Sequence, residues 1–138
     1  MPNKLYERGY RAELKAVRIL QALSYWTERN HASKGTFDIV ASSADETLFI
    51  QVKRTKTPLT SIAAVYKVNK KDITRMQAVP HPETTRVELW VYVDRQPGSV
   101  TGTWHRYTVT ASGLQEIPMV PLPAKKKPGR KPGEGAPC

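Results

Sequence analysis

The sequence predicts a single α/β domain, and three stretches carry that prediction: an amphipathic helix over residues 5–23, a β-hairpin over 35–53 and an alternating strand over 85–93. A chain of 138 residues supports one hydrophobic core and is too short for two ordinary domains. Its formal net charge of +10 points to a polyanionic partner, nucleic acid before membrane, because no long amphipathic basic helix appears. The alternative is a basic but inert surface. Cys138 is the only cysteine, so a disulfide framework is excluded and a reducing cytoplasm is the expected compartment. No apolar run approaches a bilayer span or a signal core, and a soluble intracellular protein is expected.

In the first helix Tyr6, Tyr10, Leu14, Val17 and Leu20 recur at spacings of three and four, and Leu23 extends the row. Glu13 interrupts that stripe. A carboxylate on a core face is costly unless it is paired or bound to a metal, so Glu13 is either a stripe-edge residue paired with Arg8 or Lys15, or a ligand. Ser24 to Arg29 then reads as a first strand, with Tyr25 and Trp26 as its bulky members. Asn30 to Gly35 is a polar loop, in which a lone His31 is more simply solvated than a phosphate contact.

The hairpin pairs Gly35–Ala41 with Thr47–Lys53 across a turn of Ser42, Ser43, Ala44, Asp45 and Glu46. If the loop is 43–46, Ser42 pairs with Thr47 and Asp38 falls opposite Gln51. Asp38, Gln51 and Lys53 then share one face, while Leu48, Ile50 and Val52 point into a core. The densest basic stretch follows: Arg54, Lys56, Lys67, Lys70 and Lys71. Asn69 with Asp72 reads as an N-cap and an acidic first turn, opening a helix through Ile73 and Met76 that stops before Pro80; its start adds backbone donors suited to phosphates.

Over 85–93, Thr85, Val87, Leu89, Val91 and Val93 alternate with Arg86, Glu88, Trp90 and Tyr92, which predicts a strand covered on one side. Asp94–Gly98 is a turn, and Gly102–Val109 a return strand with Trp104, His105 and Tyr107. Trp90, Tyr92 and Trp104 are read as core rather than as a dimer face or base-stacking residues. From Pro118 the composition changes, with six of the eleven prolines in the last twenty-one residues and a net charge of +4. Residues 118–138 are therefore expected to be a disordered basic arm beyond a domain of 1–117, and Lys127 to Pro132 resembles a minor-groove hook too faintly to outweigh simple phosphate attraction.

Asp38, twelve residues, then Gln51-Val52-Lys53 resembles the PD-(D/E)xK nuclease signature, with Gln51 where that superfamily usually carries Asp or Glu. Arg8-Gly9-Tyr10-Arg11-Ala12-Glu13 resembles the first helix of one branch, the archaeal-type Holliday junction resolvases, and Ala32-Ser33-Lys34-Gly35 its serine-containing loop. The resemblance spans roughly residues 5–93. It implies a restriction-endonuclease-like fold, a mixed central sheet flanked by helices, and an enzyme that hydrolyses DNA phosphodiesters to 5′-phosphate and 3′-hydroxyl ends. Branched DNA is the implied substrate, in recombination and repair, with a homodimer delivering symmetric nicks. Glu13, Asp38, Gln51 and the Val52 carbonyl are the implied ligands of Mg²⁺ or Mn²⁺, and Lys53 the implied stabiliser of charge. Arg8, Arg11, Ser33, Lys34, Arg54, Lys56, Lys67, Lys70 and Lys71 are the implied DNA contacts. An amide at position 51 leaves two formal negative charges instead of three. It is consistent with a natural variant, a deliberate inactivation or a descendant that binds DNA without cutting it. Another endonuclease of the superfamily, nicking or homing in type, and a non-catalytic DNA-binding module are the alternatives.

Overall fold

The computed structural model describes residues 4–30 and 35–118. His31, Ser33, Lys34 and the basic arm from residue 119 onward lie outside the described residues. In chain order the elements are α1 (Lys4–Ala22), β1 (Trp26–Arg29), β2 (Ile39–Ser42), β3 (Thr47–Thr55), α2 (Ile62–Val68), α3 (Lys70–Gln77), β4 (Thr85–Val93), β5 (Thr103–Thr110) and β6 (Gly113–Ile117). The six strands form one mixed sheet in that same order, and only β3 and β4 run parallel. A parallel pair needs a crossover, which α2 and α3 supply. Among the described residues no helix is long and apolar enough to cross a membrane.

The hairpin folds in the expected register, with Ser42 opposite Thr47 and Ile39 opposite Ile50. Helices cover both faces of the sheet. Under α1 lie Ile39, Ala41, Leu48, Ile50, Val52, Trp90 and Tyr92, and under α2 and α3 lie Val87, Leu89, Val91, Val93, Tyr107 and Val109. Strand β4 is thus buried on both sides, which corrects the expectation of a strand covered on one. Trp90 and Tyr92 are core, and Trp104 packs against both with ring centroids 5.8 and 5.0 Å away.

The face that α1 buries also differs from the tyrosine-led stripe. Ala12, Ala16, Ile19 and Leu20 meet the sheet, whereas Tyr10 stays exposed and Leu14 and Val17 are only half-buried. The small Ala12 and Ala16 share the buried face with Ile19 and Leu20, while Leu14 and Val17 are turned to its flanks. A leucine in place of the fully buried Ala16 is expected to cost about 1–3 kcal/mol through overpacking, read as a lower denaturation midpoint with an unchanged m-value. The helix ends where Ser24 takes φ 71°, the Tyr25 amide bonds the Leu20 carbonyl and the Ser24 amide bonds that of Gln21. This is a Schellman ending with serine at the position usually given to glycine.

Two further elements and one cap escaped the sequence. Ser61 caps the short α2 by accepting from the Ala64 amide, and the polar β6 closes the far edge. Asn69 does not cap α3 with its side chain; its amide turns back and donates to the Val65 carbonyl at 3.0 Å, closing α2 instead. Between β4 and β5 a charged cluster is sealed inside the core: Glu88 is 0% exposed and receives Arg106 Nε at 2.6 Å, Arg106 Nη2 at 2.9 Å and Trp90 Nε1 at 2.9 Å.

Candidate active site

Strand β3 outruns its neighbour. β2 pairs with it only from Thr47 to Ile50, so Gln51, Val52 and Lys53 project past the start of β2. Asp38 fills that gap. Its amide donates to the Ile50 carbonyl at 2.8 Å, and its Oδ2 accepts the Val52 amide at 2.9 Å, standing in for the strand residue that is missing. N–H and C=O of one strand residue point to the same side, so the Val52 carbonyl also faces the gap.

Side-chain alternation then sorts the groups. Gln51 and Lys53 leave β3 on the face covered by α3, and the Gln51 amide nitrogen donates to the same Asp38 Oδ2 at 3.0 Å. Lys53 Nζ reaches Asp72 Oδ2 in the first turn of α3 at 2.7 Å. From α1, on the other face, Glu13 comes in at the same end of the sheet, 8% exposed, with Arg29 Nη1 at 3.1 Å from its Oε1. Glu13 is therefore on a buried face as expected, and among the described side chains, which do not include that of Arg8, its cationic partner is Arg29 rather than Lys15, which donates to Tyr92 instead. The two strand ends and the helix enclose a cavity of about 250 Å³ lined by Gly9, Tyr10, Glu13, Arg29, Asp38 and the Gln51–Lys53 run.

The electrostatics of this cavity are those of two buried carboxylates beside two cations. Burial pushes the Glu13 carboxyl above its ordinary pKa and the charge of Asp38 pushes it further, against the pull of Arg29. Burial likewise raises Asp38, opposed by the Val52 amide and by Lys53. Among the described residues no group of three or more His, Cys, Asp or Glu gathers. The donors available are two carboxylates, one amide oxygen and one main-chain carbonyl, all hard oxygens that match Mg²⁺ or Mn²⁺ and would relieve the repulsion between Glu13 and Asp38. The residues present thus fit a divalent cation. Gln51 adds something that a carboxylate lacks: its nitrogen holds Asp38 while its oxygen stays on the same group.

Among solved structures, the chain is similar to Hjc, a Holliday junction resolvase from the archaeal hyperthermophile Archaeoglobus fulgidus. The identity is 20%, the match covers 74% of this chain and 73% of that chain, and the TM-score is 0.38. No protein-family model and no curated protein matches the sequence.

The other expected positions are spread around the cavity. Lys67, Lys70 and Lys71 are exposed on α2 and α3, and the pairing of Asp72 with Lys53 brings the first turn of α3, with Lys70 and Lys71, alongside the cavity. Arg11 is exposed on α1 and Lys56 is exposed beyond β3. Arg54 is half-buried and ion-paired with Asp94. Sequence reasoning missed Arg29 and Asp72 as members of the site. The signal for Arg29 was its place in a short strand whose alternation turns it and Thr27 inward while Trp26 and Glu28 stay exposed.

Proposed function

We propose that this chain is a divalent-metal-dependent DNA endonuclease acting on branched DNA, most specifically a four-way junction. The observation that carries the reading is the convergence of Glu13, Asp38, Gln51, Val52 and Lys53 on one cavity from two faces of the sheet. It joins the motif resemblance to a restriction-endonuclease-like architecture. Glu13, Asp38, the Gln51 amide oxygen and the Val52 carbonyl would hold Mg²⁺ or Mn²⁺. A bound ion would supply Lewis acidity toward a phosphate and lower the pKa of a water.

The protein's own groups do the rest. Asp38 is fixed by two hydrogen bonds to Oδ2, so its orientation is set before any ligand arrives. Lys53, steadied by Asp72, presents an ammonium where negative charge grows on the phosphate. In the hydrolysis a water oxygen bonds to phosphorus and the bond to the 3′ oxygen breaks. The departing oxygen takes a proton, leaving a 3′-hydroxyl and a 5′-phosphate. Exposed Arg11, Lys67, Lys70 and Lys71 supply phosphate contacts that read shape rather than sequence. Paired nicks in a symmetric junction call for two copies of the site, hence a homodimer.

The test is incubation of labelled four-way junction, and of linear duplex of the same sequence, with Mg²⁺, Mn²⁺ or EDTA. Paired symmetric nicks in the junction alone, lost in EDTA, are expected; cutting of linear duplex with sequence preference would favour a nicking or homing enzyme. A second reading, a module that binds DNA without cutting, is favoured by the self-satisfied state of Gln51 and Lys53, each already bonded to a carboxylate. Gln51→Glu separates the two. It places a carboxylate against Asp38, so the variant should melt lower than the parent in EDTA and gain more from Mg²⁺, since tight binding to the folded state raises its stability. A variant whose melting ignores Mg²⁺ would argue for the binding module.

A further inference from the structure

The cavity already holds a cation of its own. Arg29 is largely buried, its Nη1 lies 3.1 Å from Glu13 Oε1, and its guanidinium carbon sits 4.4 Å from the centre of the Tyr10 ring. Burial on this scale is unusual for arginine unless it has paired with an anion. Among the described residues it meets anchors of two kinds, the Glu13 carboxylate and the face of Tyr10, which is 38% exposed. Among the described residues Glu13 and Asp38 line the cavity with Arg29 and Lys53, and Asp72, which holds Lys53, also meets Arg75 at 4.0 Å. A divalent ion at Glu13 would have to take that carboxylate from the guanidinium.

We propose that Arg29 is the resident countercharge of this site. It neutralises Glu13 until a divalent ion claims the carboxylate, and once displaced it binds a DNA phosphate while keeping its contact with Tyr10. The inference rests on the metal-site reading above. A guanidinium suits both stations, because its planar fork matches a carboxylate and a phosphate equally well. Metal and DNA then reinforce each other. The ion frees the arginine for phosphate, phosphate holds the arginine off the ion's ligand, and the coupling must be the same in both directions.

Two measurements decide it. The first is Mn²⁺ binding to the full-length protein without DNA, by electron paramagnetic resonance of the free ion, for the parent and Arg29→Met. Removing the competitor should tighten Mn²⁺ about 5- to 150-fold, the usual span of such couplings. Equal or weaker binding by the variant, with the parent still binding, overturns the proposal and leaves the metal site standing. No binding by either removes the metal site and the proposal with it. The second is affinity for a four-way junction in EDTA across the cycle of Glu13→Gln, Arg29→Met and the double variant, which decides even where Arg29→Met alone folds poorly. Glu13→Gln should bind several-fold tighter than the parent, and that gain should vanish when Arg29 is also replaced. A gain that persists in the double variant reflects only the lost negative charge and sinks the transfer of Arg29 to phosphate.

Discussion

Asp38→Ala is expected to abolish junction cleavage, by about 10²–10³-fold or more in kcat, while junction affinity stays within a few-fold of the parent. Asp38 is the residue on which the site's geometry depends: it closes the β3 ladder through Val52 and anchors the Gln51 amide. Its removal takes away a ligand and leaves the exposed lysines of α2 and α3 in place. Quenched cleavage assays beside gel-shift titrations separate the two effects, and a loss of binding equal to the loss of cleavage would contradict the assignment. Stability supplies a second signature. The folded-state pKa of Asp38 is raised above its ordinary 3.8, chiefly by burial, so the folded protein holds this proton more tightly than the unfolded chain does. Stability from this group therefore falls as pH rises from 3.8 through the folded pKa, and the penalty is complete above it. Asp38→Asn, which keeps an oxygen for the Val52 amide, should melt no lower than the parent at pH 8 in EDTA. Its advantage should shrink toward pH 4.

Glu88→Ala is expected to be the most destabilising single change in the sheet, at about 3–5 kcal/mol. The carboxylate is sealed from water and takes both arms of the Arg106 fork together with the Trp90 indole. Without it, Arg106 remains as a buried cation with no counterion in its place, and Trp90 Nε1 loses its acceptor. Urea denaturation followed by far-ultraviolet circular dichroism measures the loss. Glu88→Leu combined with Arg106→Met should recover most of it, because desolvating both charges costs nearly as much as their attraction returns. A double variant as unstable as Glu88→Ala would show that the pair itself, and not the orphaned charge, carries the stability.

Strands β3 and β4 and the register between β2 and β3 were legible because alternation and turn composition are local properties. Ser42 could be set opposite Thr47 from the loop length alone. The buried face of α1 was not legible. Tyr10, Leu14 and Val17 make as regular a row as Ala12, Ala16 and Ile19, and the choice between them lies with the sheet that α1 meets. Helix α2 is seven residues long, too short to display a period, and β6 is half polar because it lies on an edge. The ligand candidates on α1, just before β2 and on β3 followed from motif spacing. Arg29 and Asp72 did not, because an ion pair is made between residues whose separation in sequence carries no periodic mark.

The strand order has a consequence for how the protein is made. Each strand lies beside the next one in sequence, so the sheet grows from one side during vectorial synthesis, and β3 waits as a temporary edge until the crossover helices and β4 have been translated. At about 5–20 residues per second, that interval between Thr55 and Val93 lasts roughly 2–8 s. Throughout it, the run Thr47–Thr55 presents unpaired backbone on the flank that β4 will later cover, with Leu48, Phe49, Ile50 and Val52 beside it. The nascent chain is most open to aggregation in those seconds, and Lys53 and Arg54 are the charges that guard this strand until its permanent neighbour arrives.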